Sequence, residues 1–397
     1  MLQTRADELA ALAELRRHIQ REGLERPSPV LALAVLAIHL AVMLGGIAVF
    51  VASNTLWVEA AALLISTYGA LGIGMTGHNA SHQAVTGSRR LDRMLTYFTM
   101  AFLSGVSATY WRKKHVQLHH AGPNNIGIDT DIELMPYFAL REDEVTRANR
   151  WQRKLFAIQH WVFPAAISLT LINLQSYGIR HLAGELRRSG GWRRQIAADV
   201  VCLCAHLVAF LLLPMLFWPV SSVLGFFLLR QSLISCALFA SAAPAHFPAE
   251  AKLVKMESAQ LSPVASQIYT TLNFRTGFFG RLVCQGAEYQ IEHHLLPSCN
   301  PLKMGQVSEI VRPFCERHGY PYRQMGWWEG IVKSLDALRV PKHVHAIGEL
   351  KPVGQRGDHL ISCPAARHVE NDISIASEQS QTPSSPPFVD ALNNFAA

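Results

Sequence analysis

The hydrophobic positions of this chain gather into long apolar runs with few charges, with little of the spacing that marks a soluble amphipathic fold. Four runs dominate, at 30–53, 56–76, 196–218 and 220–245. Each approaches the ~20 residues that an α-helix needs to cross a hydrocarbon core. The last is interrupted by Arg230 and Gln231, and a fifth stretch, 156–177, is weakened by His160, Pro164, Asn173 and Gln175. Before the first run, 1–27 reads as an amphipathic helix with Arg5, Arg16, Arg17, Arg21 and Arg26, closed by Pro27 and Pro29. Positions 302–340 read as helices of mixed charge, and beyond Gly354 the chain turns to Ser, Pro, Asn and Gln. The pattern predicts an all-α integral membrane protein with four transmembrane helices, interfacial helices and a cytoplasmic helical cap. The expected division is a cytoplasmic N-terminal segment at 1–29, a membrane domain at 30–345 and a disordered tail at 346–397.

Charge orients the spans. Arginines before the first run place the N-terminus in the cytoplasm, and Arg89, Arg90, Arg93, Arg112, Lys113 and Lys114 mark the return after two crossings. The chain carries a net charge of +7, but its basic residues flank the apolar runs, which fits anionic headgroups better than nucleic acid. Only 16 % of its 397 residues are charged, against about a quarter in soluble domains. Its seven cysteines form no CxxC pair and read as small apolar residues. No internal repeat, phosphate-binding glycine loop or dinucleotide fingerprint is visible. Gly69, Gly72, Gly74 and Gly77 either loosen the end of the second span or allow close helix packing.

Candidate chemistry lies just outside the runs, in three histidine groups: His78 and His82; His115, His119 and His120; His293 and His294. On a helix, residues four apart share a face, so His78 pairs with His82 and His115 with His119, while His120 is turned about 100° away. An isolated pair of this kind is more often structural than metal-binding, and the second group follows a basic stretch that alone could bind headgroups. Three groups on one membrane face change that balance. Seven neutral imidazoles are too many for one tetrahedral zinc and suit two metal ions. A crossing at 156–177 would put the second and third groups on opposite sides, so that segment is read as interfacial or re-entrant.

The segments Gly77-His-Asn-Ala-Ser-His82, Trp111-Arg-Lys-Lys-His-Val-Gln-Leu-His-His120-Ala-Gly-Pro-Asn124 and Gln290-Ile-Glu-His-His294-Leu-Leu-Pro297 resemble the three histidine boxes of membrane fatty acid desaturases. Gln290 in the third box resembles the front-end and related acyl-lipid branch. The likeness runs through Tyr269-Thr-Thr-Leu-Asn-Phe274 and Cys315-Glu-Arg-His-Gly-Tyr-Pro-Tyr322, and covers roughly 30–325. It implies two non-haem iron ions, O2 as co-substrate, and removal of two hydrogens from a lipid or thioester acyl chain. The implied iron ligands are His78, His82, His115, His119, His120, His293 and His294, with His246 as the further histidine such proteins usually supply. His160 and His206 are weaker alternatives.

Gln290 is read as a ligand, a hydrogen bonder to a ligand or a spacer, and amide chemistry favours the second. Asn79 stands where many relatives have Asp, and Glu288 where a neutral residue is common. Asp129, Asp131 and Glu133 follow the second box, either orienting imidazoles or forming a solvated acidic loop; Asp131 is the candidate carried forward with Gln290 and Asn79. The chain has no His-Pro-Gly-Gly haem signature, so its electrons are expected from a separate ferredoxin or cytochrome b5-type protein and its reductase. Two other readings stand beside desaturation: hydroxylation on the same scaffold, and a non-catalytic metal-binding membrane protein.

Overall fold

The computed structural model describes residues 5–189, 192–255, 263–346 and 349–350. Almost all of the tail expected to be disordered lies outside the described residues. Among them, four helical segments are long and apolar enough to cross a membrane: Pro29–Ala52, Leu56–Ser81, Arg194–Leu216 and Val220–His246. Pro29 opens the first, where a proline's missing N–H costs nothing. The second runs past the expected end at 76 to Ser81, so His78 sits on the helix itself and His82 caps it. The third is α-helical over Arg194–Leu207, passes through a π turn at Val208–Leu212 and ends in a 3-10 turn at Pro214–Leu216.

The first two spans meet through small residues. A side chain at Gly46 would lie 2.7 Å from the Ala62 carbonyl oxygen, and Gly69 and Gly72 leave room for Met43 and His39. Gly77 instead faces Thr99 and Met100, and Gly74 faces open space. Glycine in the second span therefore serves close approach, which in lipid replaces the hydrophobic driving force between helices.

The segment expected as an interfacial or re-entrant helix at 156–177 is two helices, Arg150–Ile167 and Thr170–Ser189. They are bent by 74° at the break, the geometry of a broken span or a re-entrant loop. The cap beyond the fourth span is helical apart from two short parallel strand pairs. Leu253–Lys255 pairs with Val344–Ala346, and Asn273–Arg275 with Gln324–Gly326. The N-terminal helix Arg5–Arg21 packs into this cap: Leu12, Leu15 and Ile19 share one core with Ile291, Leu295, Val307 and Val311.

Candidate metal centre

Each histidine group is delivered by a different local device. His78 and His82 sit one turn apart at the end of the second span, with ring centroids 5.1 Å apart, as their spacing predicts. The second group departs from prediction. Arg112–His119 is a π-helix, and the His120 N–H reaches back to the His115 carbonyl at 3.0 Å. That wider turn puts His115 and His120 together, with Nε2 atoms 3.2 Å apart, where α-helical spacing pairs His115 with His119. A buried carboxylate from the third span anchors the start of this segment. Asp199 accepts from Ser107 Oγ at 2.7 Å and from the N–H groups of Ala108 and Thr109.

The third group depends on a left-handed turn. Gln285 and Gly286 have φ of 50° and 92°, ending the helix Phe278–Cys284 and redirecting the chain into the helix Gln290–Leu295. Gln285 fastens this turn to the second span. Its Nε2 donates to the Gly72 carbonyl at 2.6 Å, its Oε1 accepts from Thr76, and its carbonyl accepts from Asn79 Nδ2. The box carboxylate Glu292 is fully buried, accepting from Asn273 Nδ2 at 2.8 Å and Tyr322 Oη at 2.6 Å. Asn273 in turn accepts from the Ile291 N–H at 2.9 Å. His246 ends the fourth span, and its carbonyl accepts from Asn124 Nδ2 and Lys342 Nζ.

All eight histidines converge, in two adjoining clusters. The nitrogens of His78, His82, His115, His120 and His293 lie within 4.8 Å of one another, as do those of His119, His246 and His294. His120 and His294 stack at 4.3 Å between centroids and join the two. Neither of the weaker alternatives belongs here: the His160 ring lies tilted against Trp161, and His206, within the third span, donates from Nδ1 to the Phe102 carbonyl.

The donor set fits metal ions. His120 Nδ1, His293 Nε2 and both ring nitrogens of His294 are buried with no hydrogen-bond partner among the described residues, an expensive arrangement unless something accepts their lone pairs. His115 and His82 point Nε2 atoms at each other across 3.1 Å. Burial and mutual proximity hold His82, His115, His120, His293 and His294 well below the usual imidazole range, so they are neutral and competent to ligate at pH 7.

The supporting residues sort differently from expectation. His119 Nδ1 donates to Asp129 at 2.9 Å, and Asp129 also accepts from the Asn124 N–H. Burial alone raises the Asp129 carboxyl, but His119 and that N–H bring it below its ordinary value. Asp131, the residue carried forward from sequence, is 43 % exposed, 3.7 Å from His119 and paired with Lys114. The buried partner is thus Asp129, which meets the ring of His119 on its solvent-excluded side. Asn79 accepts from His78 Nδ1 at 3.3 Å, as its position beside that histidine allows. Gln290 donates to the Ala287 carbonyl and lies against His246. Glu288 accepts from the Gly286 N–H at 3.0 Å, its carboxyl pushed up to about 7 by burial.

Sequence reasoning missed Gln285, Asn273, Lys342 and Asp199 as builders of the site. The only signal for Asn273 and Tyr322 was that the family likeness continued past the third box on both sides.

Comparison with known proteins agrees with this geometry. The family model for fatty acid desaturases matches residues 54–326. A Delta(8)-fatty-acid desaturase of Euglena gracilis is 29 % identical over 71 % of this chain and 67 % of its own length. A Delta(5) fatty acid desaturase of Caenorhabditis elegans is 26 % identical over 83 % of this chain and 73 % of its own length. Human fatty acid desaturase 3 is 27 % identical over 66 % of this chain and 56 % of its own length. A match across well over half the chain, on a helical membrane scaffold that gathers the three histidine boxes, makes this protein an enzyme of the fatty acid desaturase family.

Proposed function

We propose that this enzyme is a non-haem di-iron desaturase that uses O2 and electrons from a separate protein to introduce a double bond into a lipid acyl chain. The observation that carries the reading is the pair of adjoining histidine clusters with orphaned, buried ring nitrogens. His78, His82, His115, His120 and His293 would hold one iron and His119, His246 and His294 the other. Iron bound there supplies activation of O2 and removal of hydrogen from an unactivated carbon.

The chain's own residues prepare that chemistry. Asp129 keeps the His119 proton on Nδ1, leaving Nε2 to face the cluster, and Asn79 does the same for His78. Gln290 donates to the Ala287 carbonyl and sets its uncharged amide against the ring of His246, where it can hydrogen-bond that histidine. Ile291, Leu295 and Phe274, all buried, keep bulk water from the box helix. The site and both termini are assigned to the cytoplasmic side, where a basic surface favours an acidic ferredoxin or cytochrome b5-type donor and its reductase.

Expression with a ferredoxin-type donor, followed by lipid profiling, tests the reading. The expected product is lighter by two hydrogens. Protein that is folded and iron-loaded yet leaves every acyl chain unaltered overturns it, and a gain of one oxygen identifies a hydroxylase.

A further inference from the structure

A cavity of about 630 Å³ opens beside the third histidine box, lined by Arg281, Tyr289, Lys303, Ser308 and Arg312, with Glu309 as its one carboxylate. None of the three cations forms an ion pair among the described residues. Lys303 Nζ donates to the Gly23 carbonyl at 3.1 Å, and the Arg312 guanidinium lies over the Tyr322 ring at 4.9 Å. Arg281 is exposed. The cavity touches the site's own framework, since the Tyr289 carbonyl accepts from the His293 N–H at 2.9 Å.

Its depth follows from the helix Phe278–Cys284, which runs beside the second span. Near its start, the Phe279 carbonyl accepts from Tyr68 Oη at 2.8 Å; just past its end, Gln285 is fastened to Gly72. Tyr68 lies about two helical turns below the end of the apolar run, so that end of the helix is at hydrocarbon depth. Phe278 and Phe279 are 73 % and 72 % exposed there, facing lipid. Arg281 follows three residues after Phe278, on the same side of the helix and higher toward the cap. An arginine directly above lipid-facing aromatics sits where headgroup phosphates lie.

We propose that this groove seats the phosphate of a glycerophospholipid whose acyl chain is the substrate, with Arg281 and Arg312 as the charged contacts and Tyr289 as a hydrogen-bond donor. The assignment rests on the desaturase reading above and names its acyl carrier. Three cations against one lining carboxylate leave the net positive charge that a phosphate monoanion needs, and the position at the bilayer surface selects a lipid rather than a soluble phosphate.

The test compares wild-type protein with Arg281→Gln and with Ser308→Asp, which places a negative charge in the groove, in detergent and in phosphatidylcholine nanodiscs. Native mass spectrometry counts retained phosphatidylcholine, and a parallel arm titrates coenzyme A. The expected result is roughly tenfold lower lipid retention in both variants with iron content unchanged, and a KM for phospholipid-bound acyl chains raised about tenfold at constant kcat. Equal lipid retention by wild type and variants, or retention of coenzyme A in preference to phospholipid, overturns the proposal while leaving desaturation standing. Iron-loaded wild type that desaturates no acyl carrier overturns the desaturase reading instead, and the lipid count then still decides the groove.

Discussion

At the scale of single residues, the histidine clusters are held in place by buried carboxylates and amides. Asp129 is the clearest case, because it is a buried carboxylate bonded to a buried histidine. Asp129→Asn should weaken iron retention by about 10–100-fold under chelator challenge, whereas Asp131→Asn should change it by no more than about twofold. Equal losses would return Asp131 to a share in that role. The histidines themselves set a pH limit. Their folded values lie well below 6.5, so the unfolded chain binds more protons than the folded one as pH falls through 6.5. Stability of the iron-free protein should therefore drop below that pH, read as a falling melting temperature. Glu288 behaves in the opposite sense. Its carboxyl titrates near 7 when folded against 4.5 when unfolded, so its contribution is intact below 4.5 and is lost as pH rises to about 7. Glu288→Gln should flatten the fall in melting temperature across that interval, and an unchanged slope would show that the burial of Glu288 carries no such penalty.

At the scale of elements, what was legible depended on whether one helix or several segments did the work. The four spans and the His78–His82 pairing could be read directly, since run length and a spacing of four are local properties. The π-helix at Arg112–His119 could not, because five-residue and four-residue turns share the same composition. It is held by Asp199, more than eighty residues away. The break that splits the expected helix at 156–177 falls at Ser168–Leu169, where neither residue forbids a continuing helix; packing decides it. Asn273 is the element-level keystone of the third box, holding both the buried Glu292 and the start of the box helix. Asn273→Ala leaves a fully buried carboxylate one donor short and should cost about 1–3 kcal/mol in denaturant unfolding. A neutral result would mean that Tyr322 alone satisfies Glu292.

At the scale of the whole molecule, convergence of the three boxes requires them to share one membrane face, and the bent helix pair must then enter and leave on that face. A membrane-impermeant thiol reagent should label Arg187→Cys from the histidine side and Ser221→Cys, between the third and fourth spans, from the other. Labelling of both from one side would break the topology. The cap also binds the chain's distant parts to each other. Lys342 donates to the carbonyls of His246 and Ala251, while Asn124 from the second box shares the same His246 carbonyl. The order of synthesis follows from that junction. A nascent chain still attached to the ribosome before Lys342 has emerged holds all eight histidines but lacks the tie that seats His246. Where the eight histidines hold metal as proposed, the side of the centre that contains His246 is completed only after all four spans have been made, so metal loading is expected to follow membrane insertion.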